Sequence, residues 1–410
     1  MRRLKKTLWT KNFTLVTAAS ALGAVGGIAG GFALSFLVFD ETGSTLASAL
    51  ILAIQLVPFF VLPLFLAPVM DRLPRKPFLV AGDLIDGVLY ALMGLYLLKF
   101  EFSYAAYLGY SLLLACLESF DELAFQSIYP KLIPEGMEQQ GYAVSTTLYP
   151  ILRVLMLPLA GVLLDAVGAA WILIGQGGLS LLAALIESNI DITEDRRESG
   201  EKLFTLRQWR ADIKEAAEYL KNERGVTGIF SYMAVTNGVS SGYSSILVAF
   251  FRTFPGFTAA MYSLFSVFEF AGRTLGGAVQ YKLRLAKEKK FGFTFMVYQI
   301  YELMDMCLLW LPYPLMLANR AMVGFLGANS ATMRQAAMQS YIPENLRARL
   351  NAFQNMLITA ASGVFTLAIG ALGEVLDYRL CVTICGATAF IAAWLLVWRR
   401  RADVRKIFEK

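Results

Sequence analysis

The chain has 410 residues, of which 57% are hydrophobic and 17% are charged, and its mean hydropathy is +0.55. Soluble domains carry about 25% charged residues, so this composition excludes a disordered chain, a disulfide-rich scaffold and an ordinary soluble enzyme. The sequence has no histidine, which excludes histidine-based catalysis, metal binding and proton relay.

Twelve apolar stretches predict an all-α membrane protein with twelve transmembrane helices, because a span needs about 20 apolar residues. In chain order the predicted spans cover residues 12–38, 45–70, 77–99, 104–129, 141–166, 168–188, 226–252, 257–281, 291–311, 315–340, 351–374 and 379–398. We expect an N-terminal six-helix bundle at 1–188, a cytoplasmic linker at 189–225 and a C-terminal six-helix bundle at 226–410. Residues 206–220 of the linker have the apolar spacing of an amphipathic helix on the inner membrane surface.

The distribution of basic residues predicts the orientation in the membrane. With a cytoplasmic N-terminus, the outer loops hold only Lys99, Arg252 and Arg379 of the 37 Lys and Arg residues. This asymmetry predicts cytoplasmic termini and a location in the cytoplasmic (inner) membrane. The net charge of +6 then lies along one membrane face, which argues against nucleic-acid binding.

An internal repeat relates the two halves of the chain. The tripeptide Ile-Pro-Glu at 133–135, after the fourth span, recurs at 342–344 after the tenth, an offset of 209 residues. The same offset relates Gln126 to Gln335, Gly161 to Gly370 and Asp165 to Glu374. Duplicated six-helix halves are typical of secondary transporters whose substrate site lies near the membrane midplane. We therefore expect two pseudo-symmetric bundles.

The loop between the second and third spans, residues 67–76, reads APVMDRLPRK. It resembles the major facilitator superfamily signature G-x-x-x-D-[RK]-x-G-[RK]-[RK], with Ala67 and Pro74 in place of the two glycines. Residues 42–44, 81–85 and the Ile-Pro-Glu turns are further similar to the macrolide-efflux and enterobactin-exporter branch of that family. The resemblance implies the major facilitator fold, a drug:proton antiporter type of activity and a monomer.

The resemblance also implies that the loop acid lies against the start of the eleventh span and that the basic residues exchange partners during transport. It assigns conformational gating to Asp71, Arg72, Arg75, Lys76 and Asp83. Two alternatives remain open from the residues alone. The basic residues can serve only as topology anchors, and Asp83 can form a structural bond near the cytoplasmic end of its span.

Three carboxylates of the fourth span, Glu118, Asp121 and Glu122, share one helical face. A charge at mid-bilayer costs about 2.5–3.5 kcal/mol, and three like charges in a low dielectric cannot easily all be ionised. We therefore predict that this face takes and releases the coupling proton. The alternative is that Asp121 and Glu122 form structural salt bridges near the inner interface.

Polar residues in the fifth, seventh and tenth spans cannot face lipid and fit the wall of a water-filled cavity. We predict substrate contacts by Arg153, Asn237, Tyr243, Asn329 and Arg334. Arg153 can instead be a counter-ion for the fourth-span acids, and Arg334 a salt bridge at the cytoplasmic end. Two further features are a pair between Glu269 and Arg273 and two unexplained carboxylates, Glu302 and Asp305, in the ninth span.

These features predict a secondary active transporter that exports an amphipathic or hydrophobic small molecule against inward proton flow. The alternative is uptake or exchange of a specific polar or anionic metabolite or a lysolipid. A receptor on a transporter fold would bind a ligand without flux. The sequence contains no G-x-x-x-x-G-K-[ST] loop for ATP and no catalytic set, so we expect neither an enzyme nor a cofactor. The expected partners are the small-molecule substrate, protons and the lipid bilayer.

Overall fold

The computed structural model describes residues 7–70, 76–192, 214–215, 217–282 and 286–409, and within them the chain is helical without β-strands. Each predicted span corresponds to one long helix. In order, these are α1 (Lys11–Thr42), α2 (Thr45–Met70), α3 (Lys76–Lys99), α4 (Tyr104–Leu132), α5 (Glu138–Val167), α6 (Ala169–Ser188), α7 (Arg224–Thr253), α8 (Ala259–Lys282), α9 (Lys287–Cys307), α10 (Tyr313–Tyr341), α11 (Glu344–Gly373) and α12 (Tyr378–Ala392). Helix α12 continues as a π-helix over Ala393–Trp398, and a short helix α13 (Arg401–Glu409) follows.

Six of the described helices are long and apolar enough to cross a membrane by length and composition alone. The qualifying ranges are Lys11–Thr42, Lys76–Lys99, Gln140–Val167, Ala169–Ser188, Arg349–Gly373 and Tyr378–Trp398. Helices α4, α7, α8, α9 and α10 carry more polar residues. Their polar faces need protein or water beside them, since lipid offers no hydrogen-bond partner.

The chain divides into two compact units. The first unit comprises residues 1–42, 54–203 and 258–263, and the second comprises residues 43–53, 204–257 and 264–410. In the first unit, α6 packs against both α1 and α3. Gly87 of α3 and Gly177 of α6 allow the close approach, because an added Cβ on Gly177 would lie 2.6 Å from the Gly87 carbonyl oxygen. On α1, Gly26 and Gly30 make room for the Gln176 side chain.

In the second unit, α7 packs against α11, α12 and α13. Val404, Ile407 and Phe408 of α13 are buried in an apolar core together with Val226 and Phe230 of α7. The C-terminal segment is therefore a docked helix. Leu220, at the end of the predicted amphipathic helix, packs into the same core, whereas residues 206–213 and 216 lie outside the described residues.

Two pairs of residues related by the 209-residue offset have equivalent structures. Ile133 and Ile342 directly follow α4 and α10, and both have extended backbones, with φ/ψ of −80°/127° and −69°/131°. Gly161 of α5 contacts the start of α8 at Ala260, and Gly370 of α11 contacts the start of α2 at Ala49. These matching positions show the pseudo-symmetry that the sequence repeat predicts.

Candidate functional site

Six carboxylates from three helices of the first unit lie within electrostatic range of one another, and we call them the acidic cluster. Helix α4 contributes three of them and α3 contributes two, while the last comes from the end of α6. The members are Asp83, Asp86, Glu118, Asp121, Glu122 and Glu187.

Small residues bring the three helices together. Gly82 of α3 faces Asp121, and a Cβ at this glycine would lie 3.1 Å from the Asp121 Oδ1 atom. The contact of Gly87 with Gly177 holds α3 against α6, the helix that carries Glu187. Asp83 and Asp86 are three residues apart on α3 and therefore project from the same face. The local sequence thus places carboxylates where the backbones approach most closely.

Several oxygen atoms of this region are buried without a hydrogen-bond partner among the described residues. They are Oδ1 of Asp86, Oδ1 of Asp121, Oε2 of Glu187 and the amide oxygen of the neighbouring Gln176. Glu187 is only 3% exposed. Burying an ionised carboxylate without compensation is costly, so these groups call for bound protons or cations.

No Lys or Arg of the described part of the chain forms an ion pair with the acidic cluster. Arg153 is exposed on α5, as Glu118 and Glu122 are on α4, and it forms no ion pair with them. The Lys76 ammonium group donates to the Ser188 carbonyl oxygen at 2.7 Å and thereby ties the start of α3 to the end of α6. Glu122 accepts a hydrogen bond from Gln126, one turn along α4, and lies at the edge of the cluster.

Buried carboxylate oxygens without a hydrogen-bond partner suit the binding of a proton or a cation. Within the described ranges no three His, Cys, Asp or Glu residues are arranged to hold a metal ion. The Tyr90 hydroxyl of α3 faces both Glu118 and Gln176 and adds a neutral polar group to the region. Closely spaced acids of this kind share protons, and their titrations are coupled.

The structure places four of the predicted proton and gating residues together, because Asp83, Glu118 and Glu122 all lie near Asp121. Asp71, Arg72 and Arg75 lie outside the described residues. Sequence reasoning missed Glu187 as a site residue. The available signal was a lone acid after the apolar run 181–186 inside a predicted span.

The predicted substrate residues are divided between the two units. Arg153 belongs to the first unit and the other four to the second. The Asn237 amide is exposed and donates to the Met233 carbonyl oxygen at 2.8 Å, and the buried Asn329 amide donates to the Phe325 carbonyl oxygen at 2.8 Å.

Arg334 and Tyr243 both form hydrogen bonds within the second unit. Arg334 donates to the Tyr298 hydroxyl at 3.2 Å and lies 6.0 Å from the centroid of that ring. The Tyr243 hydroxyl accepts a hydrogen bond from Arg320 at 3.3 Å. Asn237 is thus the most accessible member of the predicted set in this unit.

The ion pairs of the second unit account for most of its charges within the membrane. Glu269 and Arg273 form the predicted pair at 2.7 Å, which confirms that interpretation. Arg320, 2% exposed, forms a buried ion pair with Asp305, which is 6% exposed. This pair involves one of the two ninth-span acids that the sequence leaves unexplained.

Comparison with known proteins gives one family and several structural neighbours. The sequence profile of the Major Facilitator Superfamily matches residues 13–300 and 300–409. The fold is similar to that of a bacterial homologue of the iron transporter ferroportin in an inward-facing state. The TM-score is 0.72 and the sequence identity is 14%, and the alignment covers 99% of this chain and 100% of that chain.

Two further solved structures share the fold. The nucleoside transporter NupG has a TM-score of 0.71 and 11% identity, with 94% of this chain and 99% of that chain covered. A bacterial homologue of the human lysosomal transporter Spinster, inward-facing and unoccupied, has a TM-score of 0.67 and 13% identity, with 97% and 96% covered. At these identities the likeness shows the fold alone. No curated protein sequence gives a significant match.

Proposed function

This chain belongs to the major facilitator superfamily, and from that premise we propose that it exports an amphipathic or hydrophobic small molecule in exchange for protons. Family and fold make it a multi-pass membrane transporter rather than an enzyme. The observation that supports proton coupling is the acidic cluster, which has buried oxygen atoms without hydrogen-bond partners and no ion pair with a basic residue in the described part of the chain.

In the proposed cycle, protonation of Asp121 or Glu118 removes charge from the interior of the first unit and allows the site to close. Water reaching the opened site from the other side stabilises the ionised form and takes up the proton. The inward movement of the proton down its gradient drives the substrate in the opposite direction, and a potential of 100 mV adds about 2.3 kcal/mol for each net charge that crosses. The two six-helix bundles, 1–188 and 226–410, would alternate access to the site, with the loop at 71–76 and Asp83 as the gate.

The charge of the acidic cluster favours a cationic amphiphile as substrate. A bound organic cation and a proton neutralise the same carboxylates, so each displaces the other, and this competition is the physical basis of antiport. Exposed Asn237 of the second unit stays a proposed substrate contact of that unit. We place the protein, as a monomer with cytoplasmic termini, in the inner membrane and in the macrolide-efflux and enterobactin-exporter branch.

The second candidate function is uptake or exchange of a polar or anionic metabolite. It is favoured by Arg334, whose Nε atom is buried and has no hydrogen-bond partner among the described residues. A guanidinium donor of this kind suits a carboxylate or phosphate group. The neighbours include a nucleoside transporter and metal transporters, so the fold is equally compatible with this function.

The test is efflux of a fluorescent cationic dye from cells that lack their own exporters. We expect efflux by the intact protein, its loss with a proton uncoupler and its loss in Asp121→Asn. The matched control is Glu135→Gln, an exposed acid in the turn after α4, which should retain efflux. Asp121→Asn is neutral and nearly isosteric, so the purified variant should still fold, but it should bind the cationic dye more weakly than the intact protein because one of the attracting charges is gone.

Two results would redirect the proposal. Uncoupler-sensitive efflux that survives in both Asp121→Asn and Glu118→Gln would remove the acidic cluster from the coupling mechanism. Absence of dye efflux, together with saturable transport of one anion that is lost in Arg334→Gln, would establish the second candidate function.

A further inference from the structure

The second unit contains a small cavity between α7, α9 and α12. Its volume is about 10 Å³, which is enough for about one water molecule. The wall includes polar atoms from all three helices: Ser240 and Tyr243 of α7, Glu302 and Asp305 of α9, and Cys385 of α12. The cavity lies wholly within the second unit and shares no residue with the acidic cluster.

The charges around this cavity do not balance. The Asp305 carboxylate is neutralised by Arg320, and both side chains are buried. Glu302 is 2% exposed, and no Lys or Arg in the described ranges pairs with it. Its hydrogen bond comes from the Tyr232 hydroxyl, which donates to Oε1 at 3.2 Å. An ionised Glu302 would leave one uncompensated negative charge in a low-dielectric interior, an unfavourable state.

The neighbouring groups offer no cation to correct this imbalance. On α10, Arg320 donates to Asp305, to Tyr243 and to Asn319, and Arg334 donates to Tyr298. The remaining titratable groups facing Glu302 are neutral or acidic at ordinary pH. They are Tyr232 and Tyr243 on α7, Tyr301 and Asp305 on α9, and Cys385 on α12.

We propose that Glu302 is a proton-binding site that is separate from the acidic cluster. A hydronium ion in the cavity transfers one proton to a Glu302 carboxylate oxygen, which leaves a neutral carboxylic acid and one water molecule. The Oε1 atom of Glu302 still accepts a hydrogen bond from the Tyr232 hydroxyl. The new O–H group points towards water in the cavity or towards a hydroxyl group that lines it. Release is the reverse step and needs water to enter the second unit. The assignment does not depend on dye export or on the acidic cluster.

The direct test is infrared spectroscopy of the purified full-length protein, which detects the C=O stretch of a protonated carboxylic acid. We compare the intact protein with Glu302→Gln at neutral pH and through an alkaline titration. We expect one protonated band in the intact protein that is missing from the variant and that disappears at high pH. The matched control is Glu269→Gln, which should lose no such band because Glu269 is ion-paired with Arg273.

A second variant keeps the proposal testable if Glu302→Gln does not fold. Tyr232→Phe removes the hydroxyl that stabilises an ionised Glu302, so the protonated band should persist to higher pH than in the intact protein. An unchanged spectrum in Glu302→Gln, or an unchanged titration in Tyr232→Phe, would overturn the proposal. Persistence of the band on adding Na⁺ at constant pH is expected for a site that binds the proton and not sodium.

Discussion

Glycine at position 177 sets the distance between the two helices that carry Asp83, Asp86 and Glu187. An added Cβ there would meet backbone atoms of α3, at 2.6 Å from the Gly87 carbonyl oxygen and 2.8 Å from the Ala91 nitrogen. Backbone cannot move aside as a flexible side chain can, so the helices would have to separate. Gly178, the next residue, has no atom within 4 Å of the same added carbon.

We therefore expect Gly177→Ala to destabilise the protein by about 1–3 kcal/mol, the usual cost of overpacking, and to reduce transport by moving α6 away from α3. Gly178→Ala makes the same chemical change without a clash and should retain both stability and transport. Thermal unfolding of the purified variants, with dye efflux measured in parallel, provides the comparison. Equal melting temperatures for the two variants would contradict the close contact of α3 and α6.

At the scale of single elements, hydropathy and periodicity were sufficient to locate the twelve long helices, because each must hide its backbone polar groups from lipid. Hydropathy and periodicity located the ends of the helices less accurately. Helix α11 begins at Glu344, seven residues before the predicted span, because Pro343 starts a helix in a polar segment outside the apolar stretch. The docking of α13 was also missed, since a short amphipathic segment has the same composition whether it is solvated or packed on a neighbour.

The start of α2 depends on one carboxylate from beyond the end of α11. Glu374 Oε1 accepts hydrogen bonds from the Leu46 N–H at 2.8 Å, from the Ser44 hydroxyl at 2.7 Å and from the Thr45 hydroxyl at 3.1 Å. Burial opposes ionisation, but these hydrogen bonds together outweigh it and lower the pKa of Glu374. The helix dipole adds to the preference for an anion at this N-terminus.

We expect Glu374→Gln to lower stability by about 1 kcal/mol at neutral pH, the usual value of a lost N-terminal cap. Because the folded-state pKa is lowered, the contribution is present above the unfolded pKa and is lost as pH falls through the folded value. The melting temperatures of the intact protein and the variant should therefore converge in acid. Glu135→Gln, at an exposed turn, should show no such pH-dependent difference. A difference in melting temperature between the intact protein and Glu374→Gln that stays constant across the pH range would argue against a role for the Glu374 charge.

At the scale of the whole molecule, the sequence predicted the class, the superfamily and part of the candidate site. Glu118 and Asp121 were identified because charges inside a span are rare. Glu187 and the cavity at Glu302 were not identified. Their neighbours depend on how each helix is rotated against the next one, and sequence periodicity does not determine that rotation. The same limitation explains the unsupported pairing of Arg153. The structure instead shows a buried acid in each unit: Glu187 of the acidic cluster in the first and Glu302 in the second.

Two separate proton sites predict electrogenic exchange. If one proton moves on the acidic cluster and a second on Glu302 while one monovalent cationic dye leaves, each cycle carries one net positive charge inward. A membrane potential of 100 mV then contributes about 2.3 kcal/mol per cycle.

In proteoliposomes without a pH gradient, a potassium diffusion potential should drive dye transport by the intact protein. Glu302→Gln should lose this response yet keep transport driven by a pH gradient, because the acidic cluster is unchanged. Transport by the intact protein that ignores the potential would mean one proton per dye and would exclude Glu302 from the cycle, whatever its protonation state.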